Sequence, residues 1–311
     1  MYISVSLFKN SFDDVWLTYK VPDSLNYLEP WMAVFVPFWE EMLLWVVLKK
    51  IKKLNFEWNI REVHSEAFSE VLLNPWQIAL IHKLAFENFI LIHHILSLFI
   101  PKNMRWKIEK NKFKLICKKI DYKLNNLKTL TKSQQEALKL IDNNKKVLLH
   151  WVTGSGKTEL YVNLIKKNLE KWKQSLLLVP EIILTNQVLE YVRKVFWDNV
   201  IALNSSVTDA KKTDARIKIF SWEAKIIVWT RSSLFYPYNN LWVIIIDEEH
   251  DESYISKDNP RYDSVQIANF IADNTNANLI LWSWTPKIEH MYHALKWDYK
   301  LVQMLEEIKS V

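Results

Sequence analysis

Along the first fifth of the chain, apolar and polar residues alternate. Positions 2–7, 15–21, 32–37 and 42–51 each keep this two-residue period, the mark of strands that bury one face. With a Pro30-Trp31 turn between the middle pair, the stretch predicts a small β domain. From about residue 65 to 100 the spacing lengthens to that of a helix, with Ala67, Val71, Ile78, Ile81, Leu84 and Ile95 among the apolar positions and Pro101 closing the run. A small helical unit is expected there. Beyond about residue 130, short apolar runs at 147–150, 176–179, 200–203, 225–228, 241–247 and 279–283 alternate with helical patterns. Runs that are apolar at every position are strands covered on both faces, so this half predicts a doubly wound α/β domain with a parallel sheet.

Half of the 311 residues are hydrophobic, enough for a substantial core and about two domains, which excludes disorder as the main state. The Met1 start lacks a secretory pattern, and the longest apolar stretch, 84–100, contains Glu87, Asn88, His93 and His94 and falls short of a membrane span. A single cysteine, Cys117, excludes an internal disulfide and a cysteine-rich zinc cluster. A cytoplasmic protein without a membrane partner is expected. His82, His93 and His94 have no carboxylate or thiolate at ligand spacing and are read as surface or core histidines. The net charge of +6 mildly favours an anionic partner. Between Lys102 and Lys128 ten basic residues face two acids, Glu109 and Asp121, a stretch that is either a solvated linker or a phosphate contact.

Glycine is the anomaly. Ordinary usage of about 7% would give roughly 22 in a chain of this length, yet there are 2, against 16 tryptophans. Several tryptophans stand in polar turns: Trp31 after Pro30, Trp172 between two lysines, Trp197 before Asp198, where a residue tolerant of positive φ is wanted. Together with a preference for Lys over Arg that suggests AT-rich coding, this leads to the hypothesis that UGA encodes glycine in the gene and has been read as tryptophan. Trp31, Trp39, Trp151, Trp172, Trp197, Trp282 and Trp297 should then lie at positive φ or expose their side chains, with the indole of Trp151 at the mouth of the phosphate loop described next. A protein truly rich in tryptophan would bury them at ordinary φ.

The run at 147–150 leads into Trp151-Val152-Thr153-Gly154-Ser155-Gly156-Lys157-Thr158 and an amphipathic helix. With glycine at 151 this is the full phosphate-binding loop in its strand–loop–helix setting. Loop amides and the helix N-terminus would meet the phosphates of ATP, Lys157 would supply a cation, and the Thr158 hydroxyl would ligate Mg²⁺. The run at 241–247 ends in Asp247-Glu248-Glu249-His250, at the carboxyl end of a strand, where α/β sheets bind ligands. Asp247 would hold Mg²⁺ through water and Glu248 orient the attacking water.

Asp247-Glu248-Glu249-His250-Asp251 resembles the acidic motif of DEAH-type superfamily 2 helicases, and neighbouring segments resemble those of the PriA family of replication-restart helicases. These are Leu178-Val179-Pro180-Glu181-Ile182-Ile183-Leu184-Thr185, Trp229-Thr230-Arg231-Ser232-Ser233-Leu234-Phe235, Asn240-Leu241-Trp242, Pro260-Arg261-Tyr262 and Leu281-Trp282-Ser283-Trp284-Thr285-Pro286, with tryptophan repeatedly where the family has glycine. The resemblance implies that Gln134 reads the adenine base, that Trp151, Thr153, Gly154, Ser155, Gly156, Lys157 and Thr158 bind nucleotide, and that Glu181, Thr230, Arg231, His250, Ser283 and Thr285 couple it to DNA. Toward the N-terminus, Val21-Pro22 and Val34-Phe35-Val36-Pro37-Phe38-Trp39 resemble the family's 3′-DNA-end-binding domain. Tyr19, Trp39 and Arg61 would line its pocket, although Leu17 and Thr18 depart from the family's Phe-Asp.

The implied organisation is a 3′-end-binding β domain at 1–62, a winged-helix-like domain with basic linker at 63–125, and a RecA-like helicase lobe at 126–311. The family's second lobe, with its arginine finger, and its zinc module are expected outside this chain, so zinc belongs to the full-length family and no zinc site is expected here. The implied function is the amino-terminal part of an ATP-dependent 3′→5′ DNA helicase that recognises stalled forks and promotes primosome assembly. Its partners would be forked and single-stranded DNA, primosome proteins, single-stranded-DNA-binding protein and the replicative helicase. The alternative is a non-catalytic fork-binding fragment with an incomplete ATP site. An unrelated P-loop kinase or transporter ATPase is disfavoured by Asp-Glu-Glu-His occurring together with Ser-x-Thr-Pro.

Overall fold

The structure, a computed structural model, describes residues 1–6, 17–54, 59–112, 127–152, 156–180, 187–202 and 207–304. The chain divides into two compact units, Met1–Lys114 and Leu115–Val311.

The first unit holds an antiparallel sheet of β1 (Tyr2–Ser6), β2 (Thr18–Lys20), β3 (Met32–Phe38), β4 (Glu41–Ile51) and β5 (Ser65–Val71), in the order β2-β1-β4-β3-β5. Its core is the inward half of the two-residue pattern: Ile3 and Val5, Val34 and Val36, Trp45 and Val47. The four expected strands are present. The fifth lies where a helical period was expected, because the pairing of β5 with β3 breaks register twice, between Met32 and Ala33 and between Ala33 and Val34. Such bulges displace the two-residue alternation and leave Ala67 and Val71 at a spacing that imitates a helix. The helices follow as α1 (Pro75–Asn88), α2 (Ile92–Phe99) and α3 (Lys102–Glu109). Asn74 and Gln77 form a capping box ahead of α1 with Pro75 in its first turn. His93 is buried in α2 against the ring of His94, and no cluster of metal-ligating groups occurs among the described residues.

The second unit is built on seven parallel strands: β6 (Lys146–Trp151), β7 (Gln174–Leu178), β8 (Val200–Ala202), β9 (Ile226–Trp229), β10 (Leu241–Ile246), β13 (Asn278–Ser283) and β14 (Lys300–Met304). Their order is β14-β6-β13-β10-β7-β9-β8. A two-stranded ladder, β11 (Ile255–Ser256) with β12 (Tyr262–Asp263), lies between β10 and β13 in sequence. Helices α4 (Lys132–Asp142), α5 (Lys157–Glu170), α6 (Gln187–Phe196), α7 (Asp209–Phe220), α8 (Ser264–Asn274) and α9 (Ile288–Leu295) complete the expected α/β layering. All six apolar runs are strands. The seventh, β14, is an edge strand whose polar Lys300 and Gln303 interrupt the run, so continuous hydrophobicity does not reveal it. No helix among the described residues is long and apolar enough to cross a membrane.

Nine residues other than glycine have positive φ among the described residues, and six are tryptophan: Trp31, Trp39, Trp172, Trp197, Trp222 and Trp297, at 54–71°. Left-handed backbone brings Cβ too close to the next carbonyl, at a cost of roughly 1–2 kcal/mol per residue. Three of the six follow helices, two of them with the same pair of bonds. The Trp172 N–H donates to Leu169 O and the Lys173 N–H to Asn168 O, both at 2.9 Å. Trp222 donates to Ile219 O, with Ala224 and not its neighbour donating to Lys218 O, whereas Trp297 donates to Ala294 O and Asp298 to His293 O. This is the Schellman arrangement, whose left-handed position belongs to glycine or asparagine. Asn111 takes that position after α3, donating to Ile108 O while Lys112 donates to Lys107 O. Trp39, 80% exposed, is the first residue of the two-residue loop between Phe38 and Glu41, where positive φ also selects glycine. Trp151 and Trp282 depart from the expectation: they lie in β6 and β13, 5% and 0% exposed, outside the positive-φ set. Their indole nitrogens are nevertheless buried without a hydrogen-bond partner, a cost of about 1–3 kcal/mol each.

Trp172→Gly, Trp222→Gly and Trp297→Gly are expected each to raise stability by about 0.5–1 kcal/mol in urea unfolding. The intact mass of the protein from its native source should fall below that of the written sequence by one tryptophan-to-glycine difference at each recoded position. Destabilisation by all three substitutions, with a mass equal to the written one, would overturn the recoding hypothesis.

Candidate nucleotide site

Strand β6 runs at its carboxyl end toward α5, whose N-cap is Gly156 at φ 73° and whose first residues are Lys157 and Thr158. Thr153, Gly154 and Ser155 lie outside the described residues. Free N–H groups at a helix start, with the helix dipole behind them, make an anion site. Gln134 fixes that start to the rest of the unit. It is the third residue of α4, its side-chain oxygen accepts from the Thr131 N–H at 2.9 Å in a capping box, and its Nε2 donates to Gly156 O at 3.2 Å.

The partner carboxylates come from the end of β10, separated from β6 in the sheet by β13 alone. Lys157 Nζ lies 2.7 Å from Glu248 Oε1 and 3.1 Å from Asp247 Oδ1. Asp247 is completely buried. Its N–H donates to Leu178 O at 3.0 Å, its carbonyl accepts from the Tyr254 hydroxyl at 2.7 Å, and Oδ1 also accepts from the Tyr161 hydroxyl. Burial, reinforced by the Asp247 charge, pushes the Tyr161 phenol well above its ordinary pKa, so it stays a donor. Glu248 has φ 49°, a left-handed conformation that costs a non-glycine residue backbone strain.

Asp247 Oδ2 and Glu248 Oε2 are buried and have no hydrogen-bond partner. Desolvated acceptors without donors are costly, and hard carboxylate oxygens are ligands for Mg²⁺, which takes one or two of them and completes its shell with water and phosphate. The donor set therefore fits Mg²⁺, with Thr158 placed beside Lys157 at the helix start.

Of the expected coupling residues, His250, Ser283 and Thr285 are brought together. His250 Nδ1 is 2.7 Å from Ser283 Oγ, which also accepts the Thr285 N–H at 3.2 Å. Thr230 is buried, and its carbonyl accepts from the Ser233 hydroxyl at 2.9 Å. Arg231 Nη1 donates to Ser253 O at 3.0 Å and Ile255 O at 2.6 Å, binding this turn to the segment after the acidic motif. Glu181 lies outside the described residues. Sequence reasoning passed over Glu249, which is fully buried, pairs with His290 and accepts the Lys287 N–H at 2.9 Å, as well as Tyr161 and Tyr254. Four-residue spacing from Lys157 was the available signal for Tyr161.

Trp151 stands differently from expectation. Its ring is buried, not held at the mouth of the loop, and Lys157 Nζ lies 4.2 Å from the ring centroid, a cation–π contact that competes with phosphate for the ammonium. The ring of Trp282 packs edge-on against Tyr161 at 4.3 Å.

In the first unit Tyr19, Trp39 and Arg61 meet at the β3–β4 hairpin. The Tyr19 hydroxyl donates to Pro37 O at 3.0 Å and Arg61 Nη1 to Trp39 O at 2.9 Å. Burial pushes the Tyr19 phenol up, and Arg61 partly opposes this. Of the basic stretch, α3 is described, whereas 113–126 lie outside the described residues.

The sequence profile of the DEAD/DEAH box helicases matches residues 131–292. The replication restart protein PriA of Helicobacter pylori strain J99 is 36% identical over 275 residues, 87% of this chain and 41% of that protein. PriA of Rickettsia felis is 38% identical over 195 residues, 61% of this chain and 30% of that protein. The chain thus spans about two fifths, or less, of these relatives. The helicase domain of Pyrococcus furiosus Hef is similar over 57% of this chain and 38% of its own, with 20% identity and a TM-score of 0.42.

Trp151→Gly is expected to raise affinity for ATP about tenfold in equilibrium dialysis, because it releases Lys157 from the ring and lets backbone approach phosphate. Weaker binding by the variant would remove both this reading and the glycine assignment at 151.

Proposed function

The chain belongs to the DEAD/DEAH box helicase family, and on that premise we propose that it carries the ATP-binding lobe and DNA-recognition part of an ATP-dependent 3′→5′ DNA helicase of replication restart. The observation that carries this reading is the pairing of Lys157 with Asp247 and Glu248, which joins the phosphate-loop helix to the acidic strand end. With ATP bound, Lys157 exchanges these carboxylates for phosphate oxygens. Thr158 and Asp247 would hold Mg²⁺, which when bound neutralises phosphate charge. Glu248 then orients the attacking water, and Gln134 at the loop is the candidate for base recognition. His250, Ser283 and Thr285 relay the state of the acidic turn along β13.

Forked and single-stranded DNA are the proposed substrates. The Tyr19–Trp39–Arg61 cluster would receive a 3′ end, and the basic residues from Lys102 to Lys128 would contact phosphates. Primosome proteins, single-stranded-DNA-binding protein and the replicative helicase are the partners this role implies, in the cytoplasm.

Lys157→Ala is expected to abolish ATP binding, whereas Glu248→Gln preserves it and blocks hydrolysis in the helicase. Equal loss of binding in both variants would overturn the assignment. Affinity of the chain for forked DNA should fall by about a hundredfold or more between about 50 and 200 mM salt, as lysine–phosphate contacts release counterions. Salt-independent binding, or no binding, would sink the DNA assignment.

A further inference from the structure

Tyr161 follows Lys157 by four residues on α5, so the two side chains leave the same face of the helix one turn apart. Both converge on a single atom. Lys157 Nζ is 3.1 Å from Asp247 Oδ1, and the Tyr161 hydroxyl donates to the same oxygen. From another direction the Tyr254 hydroxyl holds the Asp247 carbonyl at 2.7 Å. One carboxylate oxygen is therefore doubly occupied, while the other, Oδ2, is buried and has no partner.

These two donors differ in what happens when nucleotide enters. Lys157 is drawn to phosphate, which removes one of the donors on Oδ1. Tyr161 is completely buried and has no route to the phosphates' solvent side, so its bond persists. A carboxylate turns easily about its terminal torsion, and a fixed donor on one oxygen is what keeps the other pointing in one direction. Groups of this kind behind a metal ligand set its orientation and contribute about 10–100-fold to metal affinity.

We propose that Tyr161 is a positioning residue of the nucleotide site, holding Asp247 Oδ1 so that Oδ2 alone is presented to the divalent cation that accompanies ATP. The inference rests on the nucleotide-site reading above and deepens it.

The test is a Mg²⁺ titration of the binding of a fluorescent ADP analogue to the full 311-residue chain, with Tyr161→Phe compared with the unsubstituted residue. The expected result is that the Mg²⁺ concentration at half-saturation rises about tenfold, while affinity for the analogue in EDTA changes little. In an Asp247→Asn background the same substitution should produce no further shift, which a general loosening of the core would not reproduce. An unchanged Mg²⁺ midpoint in Tyr161→Phe, or an equal loss of affinity in EDTA, would overturn this inference and leave the nucleotide site standing. If the unsubstituted chain shows no Mg²⁺-dependent binding at all, the nucleotide-site reading falls, and the role of Tyr161 with it.

Discussion

Asp247 is a carboxylate with no access to water, and the second unit is organised around that constraint. Taking such a group out of water costs several kcal/mol even after relaxation, on the order of what a buried ion pair regains only with good geometry. Its N–H, its carbonyl and Oδ1 are all engaged, by β7, by Tyr254 and by two residues of α5. These partners come from three places in the sequence, α5, the end of β7 and the segment after β10, and the parallel sheet brings the first two to Asp247: β10 lies between β7 and β13, with β6 next. Remove the sheet order and the carboxylate loses its donors. The remaining lone pairs, on Oδ2 and on Glu248 Oε2, are the part of the constraint that the protein leaves for a ligand to satisfy.

A second constraint acts on the backbone. Helices α5, α7 and α9 all end in a left-handed residue, and each time that residue is tryptophan, whereas α3 meets the same demand with Asn111. The geometry is thus set by how helices terminate, and the residue type is the element out of keeping. Tryptophan is 16 of the 311 residues, so chance would place fewer than one at the nine left-handed positions, where six stand. Glu248 also occupies this region, but there the local cost accompanies a side chain that pairs with Lys157 at 2.7 Å, a contact that offsets the strain.

Much of the fold was legible because its strands are buried on both faces and announce themselves as unbroken apolar runs. The failures have a common origin. Strand β5 is bulged and β14 is an edge, and in each case the side chains stop reporting the strand period cleanly. Within the site, the phosphate loop and the acidic strand end that carry Lys157, Asp247 and Glu248 were legible from residue type at fixed spacing, whereas the meeting of His250 with Ser283 was not, since the resemblance named both residues without bringing them together. Glu249, Tyr161 and Tyr254 were not, because a buried polar residue inside an apolar or acidic run has no signature apart from its partner, and the partner is 7 to 86 residues away. Gln134 shows the converse: the family resemblance implied base recognition, while its amide already caps α4 and holds Gly156 O, so any contact with a base is made by a side chain whose rotamer is fixed beforehand.

The two constraints meet at Trp151 and Trp282. Register places β6 beside β13, with Trp282 opposite Leu149 and Ser283 opposite His150, so both indoles lie at the strand ends from which the nucleotide site is built. One ring contacts Lys157 and the other Tyr161, the same two residues that hold Asp247. Each indole leaves a buried N–H without an acceptor, whereas the carboxylates beside them leave acceptors without donors. Two neighbouring groups of opposite need that do not satisfy each other are not the product of one optimised packing. Glycine at 151 and 282 removes the unsatisfied donors and leaves the unsatisfied acceptors, which is the arrangement a site for a cation and a polyphosphate requires.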